Sequence, residues 1–391
     1  MDSKLAYQQG TFCSLPFVHQ EKLMNGRNNI CCYSNQLQSD SANDDSITSF
    51  NSNTINIIRQ KMLDGDRPLA CNVCYKIEDV NGKSPRQIET ESWINSITKK
   101  VSLDNNINLF LSAQPLSPTS LDLRYSNTCT LKCRMCNSGS SSSINYEYSK
   151  LESVWPDKFW TIKNPRINHD VIVTNDIQKV YLAGGEPLLE SYNLDILTRL
   201  ADYNPDVDLV INTSLNHLSA PFLAILNRFN QLTFAISLDG TKHVNDYIRH
   251  GSDFNVVAKN IEKVKHHRLL FTSCISIYNI FNIIDLINFV ATTYPNSKES
   301  HGLNIVNDLE ELFVDNIPLE LRPAIITELN NALLVAGQQA QVGIRNLIIA
   351  LQQDNFDPAR FENFKKYTKI LDTTRGESLS KIIPEWAPYI T

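Results

Sequence analysis

The chain has 391 residues, of which 42% are hydrophobic and 20% are charged, and its formal net charge is −6. This length suffices for two or three domains with buried cores, and the composition excludes a chain that is disordered throughout. The acidic balance provides no strong basic field for general attraction to nucleic acid or to membranes. Because the sequence has no run of about 18 apolar residues and no apolar signal core near its start, we expect no membrane segment and a cytoplasmic location.

The nine cysteines are grouped as CC, CxxC and CxxxCxxC. Such grouping favours metal binding over disulfide pairing in a protein without a secretory context. In residues 11–34, Asn25 and Gly26 stand between two short apolar runs. This pattern predicts a β-hairpin that brings Cys13 near Cys31 or Cys32.

A helix is expected over Ile55–Leu63, and Cys71 and Cys74 follow it. Together with Cys13 and Cys31 (or Cys32), they supply four ligands for a metal site that is closed by protein alone, which indicates a structural or electron-transfer role. Zinc and iron–sulfur fit these four cysteines about equally. We expect residues 1–80 to form this small domain and residues 81–119 to form a helical linker.

From residue 120 onward, short apolar runs typical of strands alternate with segments of helical spacing. The strands are expected at Leu121–Tyr125, Lys179–Leu182, Asp208–Asn212, Leu232–Ser237 and Leu270–Ile277, with a weaker sixth near Gly302–Val306. The alternation predicts βα units and a parallel sheet over residues 120–306, with the functional loops at the carboxyl ends of the strands. Residues 307–391 are expected to form a helical C-terminal extension.

Cys129, Cys133 and Cys136 follow the first of these strands. Three thiolates in so short a loop can ligate one soft metal centre, and three protein ligands leave one metal position open to a substrate or cofactor. The spacing resembles the cluster signature of the radical S-adenosylmethionine (SAM) superfamily. The alternatives are a zinc knuckle with a remote fourth ligand and three unrelated cysteines.

The resemblance implies an α/β fold with an open (β/α)6 partial barrel, and a [4Fe–4S] cluster whose fourth iron chelates SAM. It also implies reductive cleavage of SAM to a 5′-deoxyadenosyl radical, driven by an external electron donor such as flavodoxin or ferredoxin. The four-cysteine region is similar to the twitch or SPASM auxiliary domain, which implies a second [4Fe–4S] cluster. In the best-known members this module follows the barrel, whereas here it precedes the barrel. The same likeness favours Cys31 over Cys32 as the ligand.

The segment Gly184-Gly185-Glu186-Pro187 follows the second expected barrel strand. Glycines let a ligand approach the backbone, Glu can accept from an ammonium group, and Pro fixes the exit of the turn. In the family, a motif of this kind binds the methionine amino group of SAM. Its position 48 residues after the cysteine motif strengthens the resemblance.

Other positions resemble the remaining SAM contacts of the family. They are Met135, Asn212, Thr213, Ser214, Ser237, Asp239 and Arg249. Ser237 and Asp239 suit the ribose diol, and Ser214 departs from the Asn that relatives often carry. Some of these positions also have an alternative to SAM contact. Ser237 and Asp239 are also explained by a plain strand ending, Arg249 by a surface salt bridge, and Met135 by core packing.

The sequence therefore predicts a radical SAM enzyme that acts on a peptide or small-molecule substrate, with no catalytic side chain assigned. The alternative is a non-catalytic iron–sulfur or zinc protein that serves as a scaffold or an electron carrier. Nucleic-acid modification is disfavoured by the acidic balance. Cys274 is expected in the core, with hydrogen donation as the alternative, and no role is predicted for residues 372–376.

Overall fold

The computed structural model describes residues 10–34, 46–79, 82–98, 117–163, 171 and 173–390. These residues build one eight-stranded sheet in the order β2-β1-β3-β4-β5-β6-β7-β8. The strands are β1 (His19–Leu23), β2 (Asn28–Asn29), β3 (Ser120–Arg124), β4 (Lys179–Leu182), β5 (Asp208–Thr213), β6 (Leu232–Ser237), β7 (Arg268–Ile275) and β8 (His301–Ile305). β2 is antiparallel to β1, and every other neighbouring pair is parallel. Within the described residues β2 and β8 are the edges, so the sheet stays open.

The predicted partial barrel is confirmed as β3 to β8, including the weak sixth strand. The predicted hairpin is also present, with Glu21 opposite Asn29. The sequence did not predict that β1 extends the barrel sheet by pairing in parallel with β3. Turn chemistry is local, whereas this pairing joins His19 and Ser120, which are 101 residues apart.

Short helices surround the amino-terminal strands. They are α1 (Leu15–Val18), α2 (Ser46–Phe50), α3 (Asn53–Leu63), α4 (Asn72–Asp79) and α5 (Pro85–Thr98). The helix predicted over residues 55–63 is α3, which is capped by Ser52, whose hydroxyl accepts the Ile55 N–H at 3.4 Å. Phe12, Met62 and Trp93 belong to a small core of this region. Residues 99–116 of the predicted linker lie outside the described residues.

The barrel helices are α6 (Ser142–Leu151), α7 (Ser191–Tyr203), α8 (Ala220–Leu226), α9 (Lys242–Ile248), α10 (Phe254–Val264) and α11 (Ile283–Thr293). Burial alternates along β4, β5 and β7. The buried positions, such as Leu209 and Ile211, join the main core with the helices. The alternate positions, such as Asn212 and Cys274, are partly exposed and line the inner face of the open barrel.

The C-terminal extension contains α12 (Arg322–Ala332), α13 (Gln338–Leu351), α14 (Pro358–Arg375) and α15 (Leu379–Ile382). Leu347, Phe364 and Trp386 belong to the same core as the barrel, so the extension packs on the barrel. α14 ends at Gly376, whose φ of 67° suits the left-handed cap of a helix. None of the described helices combines the length and the apolar character that a membrane crossing requires.

Candidate active site and a second cluster of cysteines

Serine side chains hold the loop between β3 and α6, which we call the cluster loop (residues 126–141). Ser141 caps α6 by accepting the Ile144 N–H at 3.2 Å, and its hydroxyl donates to the Leu131 carbonyl at 2.7 Å. The hydroxyls of Ser142 and Ser143 donate to the Cys129 carbonyl at 3.1 and 2.8 Å. The serine run after the cysteine motif is therefore a helix cap that ties the cluster loop to α6.

One cavity of about 300 Å³ lies at the carboxyl ends of the barrel strands. It is lined by all three cysteines of the motif and by most of the predicted SAM contacts. The predicted residues in the lining are Cys129, Cys133, Met135, Cys136, Gly184, Gly185, Glu186, Asn212, Thr213, Ser214, Ser237 and Arg249. Pro187 and Asp239 are not part of this lining.

The cavity also contains residues that the sequence analysis missed. They are Leu131, Asn137, Ser140, Ser141 and Asp308. The first four lie within the cluster loop, so their closeness to the cysteines was a signal that could have found them. Asp308 comes three residues after β8, where the rule that sites lie at carboxyl ends of parallel strands also pointed.

Burial dominates the protonation of the three thiols. It raises the pKa of Cys129 to about 12, and it also raises the pKa of Cys133 and of Cys136. A metal ligand must be a thiolate, so metal binding at these thiols displaces their protons. No three His, Cys, Asp or Glu side chains of the described segments converge tightly enough to hold a single metal ion.

The two glycines of the GGEP segment pack against the start of the cluster loop. The Gly185 N–H donates to the Ser126 carbonyl at 2.9 Å, and the Glu186 N–H donates to the Thr128 carbonyl at 2.7 Å. Gly184 has a φ of 108°, and a Cβ there would lie 2.6 Å from the Ser126 oxygen. A side chain does not fit at either glycine, because its Cβ would come too close to the backbone of residues 126–128. This steric requirement for glycine is separate from the close approach of a ligand.

The Glu186 carboxylate is buried and held by its neighbours. One oxygen accepts the Thr213 hydroxyl at 2.6 Å, and the other accepts the Ser214 hydroxyl and N–H at 2.6 and 2.9 Å. Thr213 and Ser214, predicted as SAM contacts, therefore hold Glu186 in the cavity wall.

Arg249 and Asp239 form a buried ion pair at 2.7 Å, so the surface salt bridge considered for Arg249 is wrong. Asp239 also accepts the Cys274 N–H at 2.7 Å, and its side chain has no exposed surface. An Nη atom of Arg249 lies 3.9 Å from the Cys133 sulfur. Asp239 thus orients the guanidinium that faces the cluster loop. Cys274 is only partly buried: it lies on the inner face of the barrel and packs against the margin of the main core, so its role stays a prediction.

Four other thiols meet in the amino-terminal region. Cys13, Cys31, Cys71 and Cys74 line one small cavity of about 20 Å³, whereas Cys32 is exposed and does not line it. Burial raises the pKa of both Cys13 and Cys71 to about 12. These are the four cysteines that the sequence analysis selected, and their binding of a metal remains a prediction.

The fold and this site define a class of protein, an open parallel α/β barrel with three thiols and a Gly-Gly-Glu turn at its carboxyl mouth. Residues 123–291 match the model of the Radical SAM superfamily, so this part of the chain is a radical SAM domain. No curated protein matches the chain significantly.

Solved structures with similarity to the chain include native anSMEcpe with bound AdoMet. That match has 16% sequence identity, covers 55% of this chain and 58% of that chain, and has a TM-score of 0.37. Streptococcus suis SuiB matches with 13% identity over 68% of this chain and 60% of that chain, at a TM-score of 0.38. SuiB bound to precursor peptide SuiA matches with 12% identity over 84% of this chain and 66% of that chain, at a TM-score of 0.35. The chain thus spans less than two thirds of the length of these proteins.

Proposed function

We propose that this protein is a radical SAM enzyme that cleaves SAM reductively and abstracts hydrogen from a peptide or small-molecule substrate. The observation that carries the proposal is the cavity of about 300 Å³, which joins three thiols to the Gly-Gly-Glu turn and to polar groups of β5 and β6. A [4Fe–4S] cluster on Cys129, Cys133 and Cys136, with SAM bound, supplies the electron and the radical chemistry.

The side chains of the cavity have complementary tasks. Glu186 accepts the ammonium group of SAM, and the hydroxyls of Thr213 and Ser214 keep its carboxylate in place for this contact. Arg249 faces the carboxylate of SAM or an anionic group of the substrate, with Asp239 fixing its direction. An acidic and a basic side chain in one cavity select a ligand that carries both an ammonium group and an anionic group, which a nonpolar cavity would not do.

Three further predicted contacts suit the nucleoside of SAM. The Ser237 hydroxyl lies 3.2 Å from the Asn212 amide oxygen, so the two side chains form one polar patch for the ribose. Met135 lines the same cavity, and its flexible thioether suits packing against adenine. At about 300 Å³ the cavity is at the small end of ligand sites, and the substrate is proposed to approach along the open inner face of the barrel.

A second [4Fe–4S] cluster is proposed on Cys13, Cys31, Cys71 and Cys74. Four protein ligands close such a site, which suits electron transfer or structural support, and an external donor such as flavodoxin or ferredoxin is proposed to supply electrons. Cys13 precedes β1, and Cys31 follows the antiparallel β2, so both lie toward the amino end of the sheet. Cys129 lies beyond the opposite, carboxyl end of β3. The five residues of this strand span about 17 Å. The second cluster is therefore proposed to exchange electrons rather than to bind substrate in the SAM cavity.

The test is anaerobic reconstitution, followed by assays of iron, sulfide and 5′-deoxyadenosine formed from SAM with dithionite. Two clusters require about eight irons per chain. Cys133→Ala is expected to abolish SAM cleavage, and Cys31→Ala to lower the iron content by about four while cleavage persists. Cys32→Ala is the matched control and is expected to change neither quantity. Zinc in place of iron, or iron without SAM cleavage, would refute the proposal and favour a scaffold or an electron carrier.

A further inference from the structure

We propose that the end of α14 is a clamp that positions the cluster loop, so that the C-terminal extension is part of the SAM-cleaving machinery. The C-terminal clamp comprises residues 372–377, which are the last turn of α14, its glycine cap and the residue that follows the cap. The inference rests on the proposed function, because it assigns these residues to the loop that holds the cluster.

The first contact of the clamp is with Arg134, which stands between two of the cluster cysteines. Its side chain has no exposed surface, and one Nη atom lies 2.6 Å from an Asp372 oxygen and 2.7 Å from a Glu377 oxygen. Its guanidinium carbon lies 3.7 Å from the centre of the Tyr247 ring, and the Tyr247 hydroxyl donates to Asp372 at 2.8 Å. Arg134 is thus fixed by charge and by stacking from both sides.

The second contact reaches Lys132, which also lies between cluster cysteines. Glu147 of α6 accepts from Lys132 at 3.0 Å and from Arg375 of the clamp at 2.7 Å. The Glu147 and Arg375 side chains are only 4% and 1% exposed, so solvent screens this pair weakly. Both basic residues of the CxxxCxxC motif are therefore connected to the same turn of the C-terminal extension.

The third contact includes the segment that carries Arg249. The N–H groups of Lys132 and Arg134 donate to the carbonyls of His250 and Ile248, both at 2.8 Å. His250 also contacts Glu377 of the clamp at 2.7 Å. Arg249 lies between these two anchored residues, and therefore the clamp also fixes the guanidinium that faces the Cys133 sulfur.

These contacts point to positioning rather than to general stability. Every charged member touches the cluster loop, α6 directly behind it, or the segment that holds Arg249. By contrast, the Lys365–Glu362 pair of the same helix makes no contact with these segments, and its Glu362 side chain is 66% exposed. Removing the acidic partner from a buried ion pair leaves the basic side chain charged and without a partner. That side chain, and the part of the cluster loop that carries it, are then expected to move. The expected result of weakening the clamp is a misplaced cluster loop on an otherwise folded barrel.

The experiment compares the double variant Asp372→Asn, Glu377→Gln with the control Glu362→Gln and with the wild type, all as the reconstituted full-length protein. Two readouts do not depend on turnover: the rate at which iron passes to a ferrous chelator, and the change that SAM causes in the EPR spectrum of the reduced cluster. We expect the double variant to lose iron about tenfold faster, and to need about tenfold more SAM for the spectral change. Glu362→Gln should match the wild type in both.

Thermal unfolding separates positioning from loss of the fold. If the double variant does not fold, the single variant Glu377→Gln replaces it in the experiment, because this variant keeps the contact between Arg134 and Asp372. We then expect the folded Glu377→Gln variant to lose iron faster than the wild type. A folded variant with wild-type iron loss and SAM response would overturn the clamp alone. A wild type without iron or SAM response would overturn the proposed function and the clamp with it.

Discussion

Replacing Gly185 by Ala tests how the GGEP segment supports the cluster loop. A Cβ at this position would lie 2.6 Å from the Asn127 carbonyl carbon and closer still to the Thr128 oxygen. Both neighbours are backbone, so the two segments must move apart by about 1 Å to reach ordinary van der Waals separation. Overpacking of this kind costs about 1–3 kcal/mol. The hydrogen bonds from Gly185 and Glu186 to the loop are stretched as well, at about 1 kcal/mol each.

The expected sum is roughly 3–5 kcal/mol of lost unfolding free energy, measured by denaturant unfolding. Because the displaced backbone leads directly into Cys129, we also expect the iron bound by Cys129, Cys133 and Cys136 in the proposed cluster and the formation of 5′-deoxyadenosine to fall. Gly302→Ala is the matched control, since a Cβ at that barrel glycine meets nothing nearer than 3.9 Å. If Gly185→Ala and Gly302→Ala behaved alike in stability and iron content, the steric argument would be refuted.

Three further predictions address the cavity wall and the sheet. Ser214→Ala removes one hydrogen bond to the Glu186 carboxylate, so the Kd for SAM should rise about tenfold in equilibrium binding; an unchanged Kd would mean that Glu186 is held without this hydroxyl. Asp239→Asn leaves Arg249 buried without its partner, so denaturant unfolding should show a loss of about 3–5 kcal/mol, and a loss below 1 kcal/mol would contradict the ion pair. Burial lowers the pKa of His301 to about 4, so between about pH 6.5 and 4 the unfolded chain binds a proton that the folded chain does not. The stability from this group is thus lost as the pH falls, by about 1.4 kcal/mol from pH 7.5 to 5.5, and His301→Gln should remove that part of the pH dependence.

The sequence predicted the parts of the fold that depend on local pattern. The alternation of apolar runs placed β3 to β8, because parallel strands and their helices have distinct periods. The Asn25-Gly26 turn predicted the hairpin for the same local reason. The spacing of Cys129, Cys133 and Cys136 placed them in one loop, and the strand-end rule gathered Glu186 and Ser214 around them.

The parts that the sequence could not predict depend on long-range pairing. Arg134 and Asp372 are 238 residues apart, and nothing in either local pattern indicates that they meet. The steric requirement for glycine at position 185 could not be predicted either, because it comes from the nearby backbone of residues 126–128 and not from the motif itself. Asp239 resembled a ribose contact, and only the three-dimensional arrangement showed its pairing with Arg249.

The order of the segments along the chain explains the position of the second group of cysteines. Among the described residues, no other barrel strand pairs with the outer edge of β3, so a segment that precedes β3 can join the sheet there, even across a long connection. β1 does so, with His19 opposite Ser120. A module that followed the last barrel strand would be nearest to the β8 edge instead. β3 therefore lies between the two groups of cysteines, with the four-thiol cavity toward one end and Cys129 beyond the other. A bulky substitution on β3 is for this reason expected to disturb both groups of cysteines, because β3 pairs with β1 and leads into the cluster loop.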